Sequence, residues 1–178
     1  MKKMWRVLIP VFLAFLAPIS YAQKDAAKET PNDAQIAGIV VAANTVDIDA
    51  GKLAKSQAQS KEVKDFAQRM ITDHTGSNKE ATALVKKLKV TPEESATSTA
   101  LKKEGAATLK HLKTLKGKDF DKAYIDNEVT FHQTVLSAID KTLIPNAQNP
   151  ELKSLLEKTR PVIDDHLQHA KKIQASMQ

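Results

Sequence analysis

The chain is 178 residues long, with 27 Lys and Arg against 21 Asp and Glu, a formal net charge of +6, and no cysteine. Without cysteine there is no disulfide framework and no lipid attached at a cleavage site. The basic residues are spread along the chain, which excludes the clustered footprint expected of a nucleic-acid binder.

The first 22 residues have the three parts of an export signal. Lys2, Lys3 and Arg6 form a basic start, Val7 to Ile19 is an uncharged apolar run, and Ser20-Tyr21-Ala22 supplies small residues at a cleavage site. The apolar run is shorter than the roughly 20 residues that cross a bilayer. The expected product starts near Gln23, is periplasmic or secreted, and keeps no stable membrane insertion. Removing residues 1–22 takes three basic residues and leaves a modest surplus of positive charge. Residues 23–32 read as a flexible polar tail. Residues 33–177 are expected to form a single helical-bundle domain, large enough to bury roughly 70% of the surface its unfolded chain exposes.

The first helix is predicted over about 33–58, where Ile36, Ile39, Val40, Ala43, Val46, Ala50, Leu53 and Ala54 recur at three- and four-residue spacing. Ser60 is placed to cap a second helix that runs to about Lys89, with Val63, Phe66, Met70, Ala81, Val85 and Leu88 on its stripe. Thr91-Pro92-Glu93-Glu94 has the form of a capping box, and a further helix is expected over 97–115. The next begins near Asp119 and carries Phe120, Tyr124, Ile125, Val129, Val135 and Ile139 to about Ile144, where Pro145 is expected to stop it. Asn149-Pro150-Glu151 has the order of a helix start, and the last helix should reach about Ala175, kinked or broken at Pro161. No segment alternates like a half-buried strand. The fold class is therefore all-α. Two long hairpins joined by a helical connection match a ferritin-like four-helix bundle with an additional helix in the crossover. A five-helix up-and-down bundle fits the same pattern.

What interrupts the apolar stripes is informative. Asp47 on the first helix, His74 on the second, Glu128 and His132 on the fourth, and His166 on the last each occupy an inward position near mid-length. His74 and His132 both lie 14 residues beyond the start of their helices, counted from Ser60 and Lys118. His132 and His166 are nearly level about the turn near Gln148, whereas Asp47 and His74 agree less well about the turn near Ala58. Three imidazoles and one or two carboxylates could converge in this way, and such a donor set suits Fe, Zn, Cu or Ni. A shared hydrogen-bonded network would satisfy the same side chains without metal. Asp73 and Asp165, beside two of the histidines, are candidate orienting groups, with surface charge as the alternative. His111 and His169 are expected to be exposed. The Glu-x-x-His spacing of di-iron bundles is absent from the sequence, as are a nucleophile elbow and a phosphate loop.

Several stretches resemble the bacterial domain-of-unknown-function 4142 family. Val46-Asp47-Ile48-Asp49-Ala50-Gly51-Lys52-Leu53-Ala54 is similar to the family's first-helix segment, which usually carries Glu where Asp47 stands. Val63 to His74, ending in Asp73-His74, is similar to its most recognisable stretch. Phe120-Asp121, Tyr124-Ile125, Val129 and His132 follow its fourth-helix pattern, and Pro161, His166-Leu167 and Ala170 its last-helix pattern. The resemblance implies a ferritin-like fold and an envelope location. It also implies that Asp47, Asp73, His74, His132 and His166 belong to a family pattern, with metal binding as an expectation.

Three functions follow from these observations. The first is a periplasmic bundle protein that binds a transition metal through His74, His132 and His166, with Asp47 or Glu128 completing the shell. The second is a non-catalytic envelope-stress or interaction protein, with an envelope protein as partner, whose inner polar residues form a structural network. The third is a bundle that holds haem or a small organic ligand between its helices.

Overall fold

A computed structural model describes residues 30–177. The signal peptide and most of the polar tail expected from the sequence lie outside these residues. Every regular element of the described chain is a helix, and no strand occurs among the described residues. Its elements are α1 (Asp33–Gln57), α2 (Lys61–Leu88), α3 (Ala96–Leu112), α4 (Gly117–Ala138), a π-helical turn (Ile139–Leu143), a single turn α5 (Ile144–Asn146) and α6 (Pro150–Ser176). No helix among the described residues is long and apolar enough to cross a membrane.

The helix starts follow from local chemistry. Asn32 and Gln35 form a reciprocal capping box at α1, and the Ser60 hydroxyl accepts from the Val63 amide at α2. Asn149 accepts from the amides of Glu151 and Leu152, and Pro150 occupies a position where its missing N–H costs nothing. The expected box at Thr91 is not one. Residues 90–95 run outside any helix, the Glu93 amide donates to the Ala34 carbonyl, and the capping box is formed by Ser95 with Ser98. The Glu93 carbonyl packs so closely on Gly38 that a Cβ there would lie 2.0 Å from its oxygen.

Pro145 does not stop α4 where expected. A proline cannot donate to the carbonyl four residues back, and its ring crowds that carbonyl. The chain responds one turn earlier by widening into the π-helical turn, where the Ile144 amide reaches the Ile139 carbonyl, and the helix ends after Asn146. Pro161 leaves α6 an unbroken helix. Pro161 and Glu157, whose carbonyl loses its partner, both face solvent.

α1 pairs with α2 and α4 with α6, and α2 also packs on α6 and α1 on α4. The Asp121 carboxylate accepts from the amides of Gln59 and Ser60, which fixes the start of α4 to the turn between α1 and α2. At the opposite end, Asp33 accepts from the amides of Gln148 and Asn149. α3 runs beside α1, with Gly105 close enough that a Cβ would meet Val46 at 2.7 Å. It buries only Ser98, Gly105 and Leu112, a narrow seam at seven-residue spacing.

Two apolar clusters fill the interior. One contains Ala54, Phe66, Met70, Phe120, Tyr124, Leu167 and Ile173, and the other Ile36, Ile39, Ile139, Leu143, Leu156 and Ile163. Along α1, α2, α4 and α6 the residues between the two clusters are Asp47, His74, His132 and His166. A buried polar layer therefore separates two oily halves of one core.

Candidate metal centre

The polar layer takes side chains from four helices. Asp47, His74, Glu128, His132 and His166 are all at most 3% exposed. The three imidazoles face one another, with ring centroids 5.8 Å apart for His74 and His132, 5.2 Å for His74 and His166, and 5.4 Å for His132 and His166. A porphyrin between any two would have to displace the third, which argues against the haem alternative.

Asp47 and His74 meet although their counts from the turn differ. Asp47 stands ten residues before the end of α1, and His74 thirteen after the start of α2. Side chains lean toward the N-terminus of their own helix. In this antiparallel pair, Asp47 leans away from the turn and His74 toward it, so the two become level.

Each imidazole is held at one nitrogen by an outer partner. His74 Nδ1 lies 2.9 Å from Asn44 Oδ1, whose amide Nδ2 donates to Ser77 and Asn78 at 3.0 Å each. Asn44 Oδ1 is therefore an acceptor, and His74 Nδ1 carries the proton. His132 Nδ1 donates to the Glu128 backbone carbonyl at 2.9 Å, and His166 Nε2 donates to Asp73 Oδ2 at 2.8 Å. The nitrogens left over are His74 Nε2, His132 Nε2 and His166 Nδ1. All three are buried without a hydrogen-bond partner among the described residues, as are both oxygens of Asp47 and of Glu128 and the Tyr124 hydroxyl.

The inner nitrogens thus converge with a carboxylate. Asp47 Oδ2 is 3.0 Å from His74 Nε2 and 3.4 Å from His132 Nε2, yet these atoms are off the hydrogen-bond line. Donor atoms of His74, His132 and His166 lie within 4.8 Å of one another, and so do donor atoms of Asp47, Glu128 and His132. Lone pairs that gather around a common point, with their other nitrogens tied to outer acceptors, are the arrangement of a metal-binding imidazole set.

The electrostatics are consistent with this geometry. Burial pushes His132 down, and it takes His166 to about 4, so both are neutral near pH 7. Burial also pushes His74 down, but the Asp47 carboxylate outweighs it and raises His74. Burial pushes Asp47 up, while His74 and the other imidazoles pull further and hold it below the ordinary carboxylate range. Without a metal, therefore, a proton on His74 can neutralise Asp47. Burial, reinforced by the charge of Asp47, raises Glu128 well above the usual range. Burial first, then the nearby Glu128 and Asp47 carboxylates, raise Tyr124 well above the ordinary phenol range.

Glu128 gives a pH prediction for the metal-free protein. The unfolded chain loses this proton near the ordinary glutamate value, whereas the folded chain retains it to higher pH. Folding stability therefore falls as pH rises from about 4.5 toward the raised value, by about 1.4 kcal/mol per pH unit from this group. Glu128→Gln removes that slope. Urea unfolding of both proteins in chelator should show the variant's relative stability rising with pH across that window.

Asp73, beside His74 in sequence, serves His166 on α6. Asp165 does not touch an imidazole; it binds Arg69 at 2.5 Å, and Arg69 also reaches Asp73 at 3.2 Å. His111 is exposed, as expected. His169 is half-buried, packed edge-on against Phe66 at 5.2 Å between centroids. Sequence reasoning missed Asn44, although it precedes Asp47 by three residues on the same helix face. It also counted Tyr124 only among the apolar positions of its helix, although Tyr124, Glu128 and His132 stand in an i, i+4, i+8 row.

Among comparisons with known proteins, the model of a family described as Domain of unknown function (DUF4142) matches residues 19–173. Neither the curated proteins nor the solved structures contain a match.

Proposed function

Because the chain belongs to the DUF4142 family, described only as a domain of unknown function, its role must come from the buried layer, and we propose that it holds a transition-metal ion there, outside the cytoplasm. The observation that carries the proposal is the set of three buried imidazoles whose donor atoms lie within 4.8 Å of one another, with the Asp47 carboxylate beside them and outer groups holding the opposite nitrogens. His74, His132, His166 and Asp47 are the ligands; Asn44, the Glu128 carbonyl and Asp73 orient them. Imidazole with carboxylate suits Zn, Fe, Ni or Cu.

The envelope location rests on the export signal in residues 1–22. The helix pairing supports a ferritin-like four-helix bundle in which α3 is the crossover. α2 and α4 run parallel, and α3 carries the chain back along the outside of α1. An up-and-down arrangement would place α3 as a full member of the core, with a wider buried stripe.

Every ligand is buried, so the protein suits retention of an ion: storage, sensing or sequestration. Binding displaces the proton that His74 otherwise shares with Asp47, and proton release should accompany loading. The ion contributes positive charge that the buried carboxylate lacks. A structural polar network is the competing reading, favoured by the His74–Asp47 pairing.

Titration calorimetry with Zn(II), Fe(II), Ni(II) and Cu(II) separates the two readings. The proposal expects one tight equivalent for at least one ion. Asp73→Asn, which weakens the acceptor that orients His166, should reduce its affinity about 10–100-fold. Asp165→Asn should change it little. If no ion binds, the layer is a structural network; if Asp73→Asn and Asp165→Asn behave alike, Asp73 does not orient a ligand.

A further inference from the structure

Three imidazole nitrogens and one oxygen of Asp47 suffice for a four-coordinate ion. The layer contains more than that. The other Asp47 oxygen, both oxygens of Glu128 and the Tyr124 hydroxyl are also buried and without hydrogen-bond partners among the described residues. Glu128 is 1% exposed and Tyr124 is fully buried. Leaving such groups without partners in a dry interior is costly. The Tyr124 hydroxyl and the Glu128 carboxyl interact with each other, but neither offers positive charge to the Asp47 carboxylate.

These oxygens are adjacent to the imidazole site yet displaced from it. Glu128 Oε2 lies 3.4 Å from His132 Nδ1, the ring nitrogen that points away from the other imidazoles. Donor atoms of Asp47, Glu128 and His132 are within 4.8 Å of one another, close enough for one ion to reach them. Tyr124 is one helical turn before Glu128 on the same face.

We propose a second cation position beside the first, made by Asp47, Glu128 and the Tyr124 hydroxyl, with Asp47 bridging the two. This inference rests on the imidazole site proposed above. The first position is rich in nitrogen and the second is oxygen-only, so the second takes a harder divalent ion such as Mn(II).

The asymmetry provides the test. Load the folded protein with one equivalent of Zn(II), then titrate Mn(II) and follow the free-ion signal by electron paramagnetic resonance. Zn(II) outcompetes Mn(II) at nitrogen-containing sites, so Mn(II) reports on the second position. The expected result is one Mn(II) bound per chain. Glu128→Gln, which keeps the shape, should lose that Mn(II) while Zn(II) affinity stays within about threefold. Tyr124→Phe should weaken Mn(II) about tenfold and leave Zn(II) unchanged. If Zn(II) loads but no Mn(II) follows, or if Glu128→Gln weakens Zn(II) itself, the second position is overturned while the imidazole site stands. If none of Zn(II), Fe(II), Ni(II) and Cu(II) loads, both fall.

Discussion

Stripping metal from the protein with a strong chelator is expected to lower its midpoint of thermal unfolding by about 10 °C. An ion present at a thousand times its dissociation constant stabilises the folded state by about 4 kcal/mol, and a chain of this size moves roughly 2–4 °C per kcal/mol. The physical source is local. In the metal-free protein a carboxylate and three inward imidazole nitrogens crowd one dry space, with at most the His74 proton to share. An ion satisfies all four at once. Calorimetric scans of chelated and reloaded protein measure the difference directly, and coincident midpoints would favour a network complete without metal.

His132→Ala should have the largest effect of any single substitution on binding. His132 lies beside both other imidazoles, and its Nε2 is 3.4 Å from Asp47. Structural zinc sites derive roughly 10–16 kcal/mol from about four ligands, so losing one should weaken binding by about 100-fold or more. The substitution also removes a buried ring, which costs stability in any reading. The separation comes from measuring stability with and without metal in both proteins. A site predicts that most of the loss appears only in the metal-loaded comparison. A structural network predicts the same loss in both, whereas His111→Ala, on the exposed face of α3, should change neither.

The long helices were legible because their signals are local: apolar residues at helical spacing, Asn149-Pro150 at a start, Ser60 at a cap. Less legible were features decided by packing between elements. Pro145 forbids one hydrogen bond, but how the chain absorbs the loss depends on the preceding turn, which here becomes π-helical. Ser95 rather than Thr91 caps α3 because the Glu93 amide is already engaged by α1.

The polar layer was legible to the same extent. Counting from helix starts placed His74 and His132 at one level, and the hairpin at Gln148 placed His166 with them. The apparent mismatch of Asp47 disappears once the lean of side chains toward helix N-termini is included. Outer partners were harder to find, because they act across helices. Asp73 is adjacent to His74 in sequence but diverges from it by about 100° around α2, and so reaches His166. Asn44 was visible as a polar residue on the face of Asp47. Its role needed the side chains of Ser77 and Asn78 to fix which of its atoms meets His74.

The most direct test of a metal-holding role is the metal content of untagged protein isolated from its native cells, measured by elemental mass spectrometry. The prediction is at least one stoichiometric transition-metal ion per chain, lost when His74, His132 and His166 are all replaced by alanine. Protein that is metal-free as isolated, and that gains no stability from added Zn, Fe, Cu or Ni, would contradict it.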